Sequence, residues 1–244
     1  MRNLLLYLQY DGTYYHGWQI QPEDVTVQQT VEAAIFEIFK EEISVAGCSR
    51  TDAGVHAKKY ALSFFTDCKI PADRVAVALN TALPCDIRAL VCVEVCENFH
   101  ARFDTVSKTY QYIINNGNFD VFMRNYCWSV KNKLDIQKMK DAAKFFIGKH
   151  DFKSFMTGDK DSTVRTVFLL DIVQNGDFIN IFISADGFLY NMVRIITGTL
   201  KRVGEGKLDA DKIPEIIKAR DRRLAGETAP PQGLYLYDVK YENY

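Results

Sequence analysis

No apolar run in this chain of 244 residues approaches the length needed to cross a membrane. The opening stretch Met1-Arg2-Asn3-Leu4-Leu5-Leu6-Tyr7 turns polar too soon for a signal peptide, so a cytoplasmic protein without membrane contact is expected. Six cysteines (48, 68, 85, 92, 96 and 127) contain no C-x-x-C pair, which leaves neither a zinc ribbon nor a disulfide framework. Cys92 and Cys96, with His100 beyond them, could be imagined as metal ligands. In a strand, however, a rise of about 3.3 Å per residue holds their sulfurs roughly 13 Å apart, too far to share one ion. Buried thiols are expected instead. A Gly-rich phosphate loop is missing, as are low-complexity linkers. Charge of one sign is missing too, for the net charge is -1, which argues against a uniformly basic nucleic-acid binder.

What is there is an ordinary globular composition, 48% hydrophobic and 25% charged, with ample length for a core. The charge is unevenly spread. Residues 1–105 carry 9 basic and 14 acidic side chains and the remainder 21 and 17, so the halves stand at -5 and +4. Any footprint for phosphate is expected mainly on the second half.

The first half reads strand, helix, strand, strand, helix, strand. Leu4, Leu6 and Leu8 alternate up to the turn signal Tyr10-Asp11-Gly12, and Thr26-Val27-Gln28-Gln29 is a capping box for a helix from Val27 to Lys40. Strands are expected over Ile43–Ser49 and Tyr60–Thr66. A helix then opens at Pro71 with Val75, Ala76, Leu79 and Leu83 inward, stopped by Pro84, before a strand from Ile87 to Val95. That order is the ferredoxin-like unit. The second half repeats it with elaborations: a strand from Thr109 to Asn115, a helix capped by Asp135 and closed by Gly148, and two strands around Asn175-Gly176. A helix from Phe188 to Val203 follows, with Tyr190, Arg194, Thr197 and Lys201 on its polar side. After it come a helix over Asp211–Ala219, a basic cluster at Arg220, Arg222 and Arg223, and a last strand from Leu234 to Tyr241. The expected fold class is α+β: two ferredoxin-like (RNP-type) halves, 1–105 and 106–244, sharing a mostly antiparallel central sheet with helices on one face.

The chemistry concentrates in Gly47-Cys48-Ser49-Arg50-Thr51-Asp52-Ala53-Gly54-Val55-His56-Ala57, a loop after an apolar run. Thr51 stands where a serine elbow needs its second glycine, so that hydrolase motif fails. Cys48 and His56 lie eight residues apart on one loop, which establishes no thiol dyad. Asp52-Ala53-Gly54 has no second copy to form an aspartic-protease pair. Two readings of Asp52 stay open from the residues alone: a turn cap, or a reactive carboxylate kept ionised by Arg50.

This loop resembles the catalytic motif of the tRNA pseudouridine synthase A family. The resemblance continues in that family's order through Tyr10-Asp11-Gly12-Thr13, Gly17-Trp18-Gln19, Val27-Gln28 and Phe99-His100-Ala101-Arg102-Phe103. It resumes in Gly187-Phe188-Leu189-Tyr190-Asn191-Met192-Val193-Arg194 and Ala229-Pro230-Pro231-Gln232-Gly233-Leu234-Tyr235-Leu236. It implies the pseudouridine synthase fold, an isomerase acting on uridines 38–40 of the tRNA anticodon stem-loop, a homodimer, and a reaction that requires neither metal nor cofactor. Asp52 takes the catalytic role, either adding to the first sugar carbon or removing a sugar proton. Arg194 matches the arginine that pairs with this aspartate. Tyr110 matches the tyrosine that stacks on the target base and assists proton loss, and Arg50 matches an arginine that holds the extruded nucleotide. Substrate contacts are further expected from Leu234, Lys58, Arg102 and Arg202. Two departures, Cys48-Ser49 in place of smaller residues and Lys108 in place of an arginine, keep a paralogue with a different RNA target in view. A non-catalytic tRNA-binding module is the rival from another class, and a hydrolase built on Cys48 or Ser49 a distant third.

Overall fold

A computed structural model describes the whole chain, Met1 to Tyr244, and divides it into two compact units. The first comprises residues 1–106 with 235–244, and the second residues 107–234. The sequence reading assigned everything after 105 to one half. The closing strand belongs with the first unit because its backbone pairs there.

In the first unit, β1 (Arg2–Tyr10) lies antiparallel between β3 (His56–Thr66) and β4 (Ile87–Val95), with Leu6 opposite both Leu62 and Cys92. The other side of β3 takes β2 (Ala46–Gly47) and, in parallel, β10 (Leu234–Lys240), with Tyr235 opposite His56. Leu4, Leu5, Leu6, Tyr7 and Leu8 are all buried, so β1 is covered on both faces rather than on the one its alternation suggested. Helix α1 (Val27–Phe39) starts where the capping box placed it: Gln29 N donates to Thr26 Oγ1, and Val27, Val31, Ala34, Ile35 and Phe39 form its buried stripe. Each of these larger side chains contributes roughly 1.5–3 kcal/mol of burial.

Two expectations are corrected here by tertiary hydrogen bonds. Helix α2 (Ala72–Leu79) stops well before Pro84, because Asn80 turns aside to bond both the N–H and the C=O of Ala89 at 2.8 Å. The strand expected over Ile43–Ser49 shrinks to β2, because Val45 N donates to the Glu32 carboxylate at 3.0 Å instead of to a ladder.

The second unit is an antiparallel sheet in the order β5 (Ser107–Asn115), β9 (Phe178–Ala185), β8 (Val164–Asn175), β7 (Gly148–Asp151), with β6 (Trp128–Ser129) beside β5. The hairpin loop is Gly176-Asp177, with Gly176 at φ 59° and Asn175 opposite Phe178. Helix α3 (Ile136–Ala143) is capped by Asp135, which accepts from Lys138 N at 3.1 Å. Helix α4 (Met192–Gly204) begins four residues later than expected, at a left-handed Asn191 (φ 63°), and α5 (Ile213–Ala219) follows. Thr197, expected on the polar side of α4, is fully buried. The segment 225–229 lies across it: Gly226 N donates to Thr199 Oγ1 at 2.8 Å, and a Cβ on Gly198 would overlap the Glu227 carbonyl. Two backbones approach there as only glycines allow.

No disulfide joins any of the six cysteines, and Cys96 is exposed rather than buried because it lies one residue past the end of β4. The basic cluster is engaged locally: Arg220 pairs with Asp151, Arg222 donates to Gly226 O, and Arg223 grips Asp221. The hydrogen bonds from Arg223 hold the Asp221 carboxyl down at about 2. No helix is long and apolar enough to cross a membrane.

Candidate active site

The loop bearing Asp52 is held by several backbone hydrogen bonds within its unit. Val55 N donates back to Asp52 O at 3.2 Å, closing a turn whose third residue, Gly54, needs φ 74°. Gly54 N donates to Tyr15 O at 3.2 Å and Trp18 N to Thr51 O at 3.1 Å. Cys48 N donates to Ala61 O at 2.9 Å, tying the start of the loop to β3. A Cβ on Gly12 would overlap the Val55 carbonyl, and one on Gly17, already at φ 84°, would overlap that of Thr51. Gly12 N also donates to His56 Nδ1 at 3.0 Å.

Side chains complete the clamp. The Tyr10 hydroxyl bonds Thr51 Oγ1 at 2.8 Å, and the Tyr60 hydroxyl donates to Ser49 O. Trp18 stacks on Tyr60 at 4.0 Å, against Gly47, where any side chain would collide with both. Asp52 is thereby a half-buried carboxylate on a rigid turn, with Arg50 exposed two residues before it. Tyr10-Asp11-Gly12-Thr13 and Gly17-Trp18-Gln19, which carried the resemblance without an assigned role, form the cradle of this loop.

Lys58 stands near the start of β3, its ammonium 5.4 Å from the rings of both Tyr235 and Tyr237. Burial lowers its pKa from the ordinary lysine value. Its neighbour Lys59 is neutralised by Asp238 at 2.8 Å. Arg102 is exposed on the turn after β4, over the ring of Phe103. In the first unit Arg50, Asp52 and Lys58 lie along one stretch, Lys58 on the strand that follows the loop.

In the second unit Tyr110 is buried on β5, edge-on to Phe188 at 5.0 Å and 86°. Arg194, in the first turn of α4, donates from Nε to Ala229 O and from Nη1 to Asn191 Oδ1, both at 2.7 Å, so two guanidinium edges fix its plane. Ala229 N returns a bond to Arg194 O at 3.1 Å. The Tyr112 hydroxyl donates to Pro230 O at 2.7 Å, and Gly233 lies against the Tyr112 ring with no room for a Cβ. These contacts hold the segment that ends in buried Leu234. Arg202, eight residues past Arg194 and hence about 12 Å along the helix, reaches only Ala225 O and does not join it. Sequence reasoning missed Asn191 and Ala229 as holders of Arg194. The Asn at a helix start was the one signal available for the first, and a carbonyl leaves none for the second.

No group of His, Cys, Asp and Glu side chains in the structure is arranged to hold a metal ion. What the two units offer is a clamped carboxylate with an exposed arginine in one, and a ring pair with an oriented guanidinium in the other.

Comparison with known proteins agrees over the full length. The sequence pattern of the tRNA pseudouridine synthase family matches residues 7–104 and 142–242. The tRNA pseudouridine synthase A of Thermoanaerobacter sp. (strain X514) is 50% identical over 244 residues, covering 99% of this chain and 100% of that one. The tRNA pseudouridine synthase A 2 of Clostridium perfringens (strain 13 / Type A) is 49% identical over the same shares. With its mostly antiparallel α+β fold, and with the motif loop intact, the chain belongs to the tRNA pseudouridine synthase family.

Proposed function

We propose that this protein isomerises uridines 38–40 of the tRNA anticodon stem-loop to pseudouridine, with Asp52 as the catalytic carboxylate. It is an isomerase acting on tRNA. The reaction breaks the bond from the ring nitrogen to the ribose, turns the base, and rejoins it through ring carbon. The proton lost from that carbon is balanced by one gained at the freed ring nitrogen, so no atom is gained or lost overall. The carboxylate acts ionised, on either the first sugar carbon or a sugar proton, and both roles require it to be held still beside the ribose. Arg50 steadies the extruded nucleotide, whose removal from its stack costs a few kcal/mol. Tyr110 and Arg194 serve as stacking ring and catalytic cation, and Lys58, Arg102, Arg202 and Leu234 contact the substrate. The observation that carries this reading is Asp52 on a turn clamped by three backbone hydrogen bonds and two glycine contacts, in a chain 50% identical end to end to a tRNA pseudouridine synthase A.

Uridine-labelled tRNA incubated with wild type and with Asp52→Asn tests it. Wild type forms pseudouridine, and the variant loses about 10²- to 10⁴-fold in rate while still binding tRNA. Equal product from both proteins refutes the role of Asp52, and none from wild type on any tRNA refutes the activity. The protein further works as a cytoplasmic homodimer, so scattering gives twice the chain mass of 27.9 kDa, and a particle of single mass overturns the dimer.

A further inference from the structure

Six tyrosines of the first unit, Tyr7, Tyr10, Tyr15, Tyr60, Tyr235 and Tyr241, are at most 9% exposed. Tyr14 is 77% exposed, and its backbone is tied down on both sides. On one side of it, Thr13 bonds the Asp11 carboxylate through both N and Oγ1, and Gly12 is pressed against the Val55 carbonyl. On the other side, Tyr15 N closes a turn to Gly12 O at 3.1 Å, Tyr15 O accepts from Gly54 N at 3.2 Å, and His16 N donates to Val25 O at 2.9 Å. The Tyr15 ring is buried and its hydroxyl donates to Asp86 at 2.8 Å. Residues 12 and 15 are therefore fastened directly to the turn Asp52–Val55, and the Tyr14 ring stands outward between those two fixings.

A single exposed aromatic is ordinary on a protein surface, and exposure alone would carry nothing. What sets Tyr14 apart is that its main chain is rigid with respect to Asp52, so only two side-chain torsions remain to be ordered when a flat partner arrives. The chemistry of that partner follows from the reaction. Extruding a uridine strips the bases beside it of a stacking neighbour, and an exposed phenol ring offers an apolar face of matching shape with no preference for base identity. Arg50, exposed on the same turn-bearing loop, supplies a cation for the adjoining phosphate.

We propose that Tyr14 is a stacking platform for a nucleobase of the bound tRNA next to the extruded uridine. The inference rests on the tRNA-isomerase reading and adds a substrate-positioning residue outside the motif loop. Tyr14→Ala and Tyr14→Phe are compared with wild type in two backgrounds: the active enzyme, for KM and kcat, and Asp52→Asn, for the Kd of an anticodon stem-loop. Removing the ring weakens binding and raises KM roughly 5- to 100-fold with little change in kcat, and Tyr14→Phe restores both to within about twofold. A 2-aminopurine placed beside the target uridine loses its fluorescence on binding to wild type or to Tyr14→Phe and keeps it with Tyr14→Ala. Tyr14→Ala indistinguishable from wild type in KM, Kd and quenching overturns the platform while leaving the isomerase reading intact. Tyr14→Phe as weak as Tyr14→Ala overturns it as well, because the hydroxyl rather than the ring face would then make the contact. A wild type that binds no tRNA and makes no pseudouridine sinks both. Unchanged thermal unfolding of each variant excludes a folding defect.

Discussion

The turn of Asp52 and the first turn of α4 are both held rigidly, but by different means. Around Asp52 main-chain contacts lead, through the amides of Trp18, Gly54 and Val55 and the bare Cα atoms of Gly12 and Gly17, with the Tyr10 and Tyr60 hydroxyls completing the clamp. Around Arg194 it is done by side chain to acceptor, through the two 2.7 Å bonds to Ala229 O and Asn191 Oδ1. A carboxylate accepts hydrogen bonds but cannot donate them, and the backbone beneath Asp52 is fixed by amides and close glycines. A guanidinium carries five donors and fixes itself once acceptors are placed. The two regions should therefore fail differently.

The largest effect is expected from Gly12→Ala. Its Cβ would sit on the Val55 carbonyl with only backbone to give way, so the loop shifts and stability falls by about 2–4 kcal/mol, read from urea midpoints, together with most of the activity. Normal unfolding and turnover in Gly12→Ala would show that the loop is not held from below. Arg194→Lys comes next. One ammonium cannot reproduce the planar fork, so the charge loses its aim and kcat/KM is expected to drop roughly 10- to 100-fold. The lysine keeps one charged hydrogen bond to Ala229 O or Asn191 Oδ1, so urea midpoints fall less than in Gly12→Ala. If stability falls as far as in Gly12→Ala, the distinction between the two regions dissolves.

The smallest effect concerns the core beneath the loop. Burial, aided by Asp238 and Cys48, pushes the Tyr7 phenol up to about 12, and burial likewise raises Tyr112 in the second unit. A raised phenol favours the protonated folded state. Its contribution is full below the unfolded value of 10.0 and is lost as pH climbs from there through about 12. Tyr7→Phe should flatten the alkaline decline of the urea midpoint over that window, and Tyr112→Phe should flatten the decline from 10.0 upward. A decline unchanged by Tyr7→Phe removes Tyr7 from the account.

Much of this was legible beforehand, and the reasons are local. Thr26 and Asp135 cap helices because a short side chain meets amides two or three residues on, a geometry contained in the tetrapeptide. Asn175-Gly176 announces its hairpin because a left-handed residue is needed within the turn itself. Other features had no local signal. Asn80 ends α2 by finding Ala89 nine residues away, and β10 takes β3 as a parallel neighbour although its Tyr235 and the facing His56 belong to opposite ends of the chain. Lys58 was named without its reason, which is the pair of rings brought beside it by that same strand.

Most of the strands and helices (the short β6 and β7 excepted), the helix caps and the motif stretch around Asp52 were legible in the sequence alone, because periodicity, turn chemistry and motif are properties of neighbouring residues. Which glycines are indispensable, why Thr197 lies buried on a helix face that reads as polar, and what orients Arg194 were decided only by the tertiary structure. Each of these depends on one stretch of backbone approaching another to within contact distance, and the distance between two remote segments is written in neither of them.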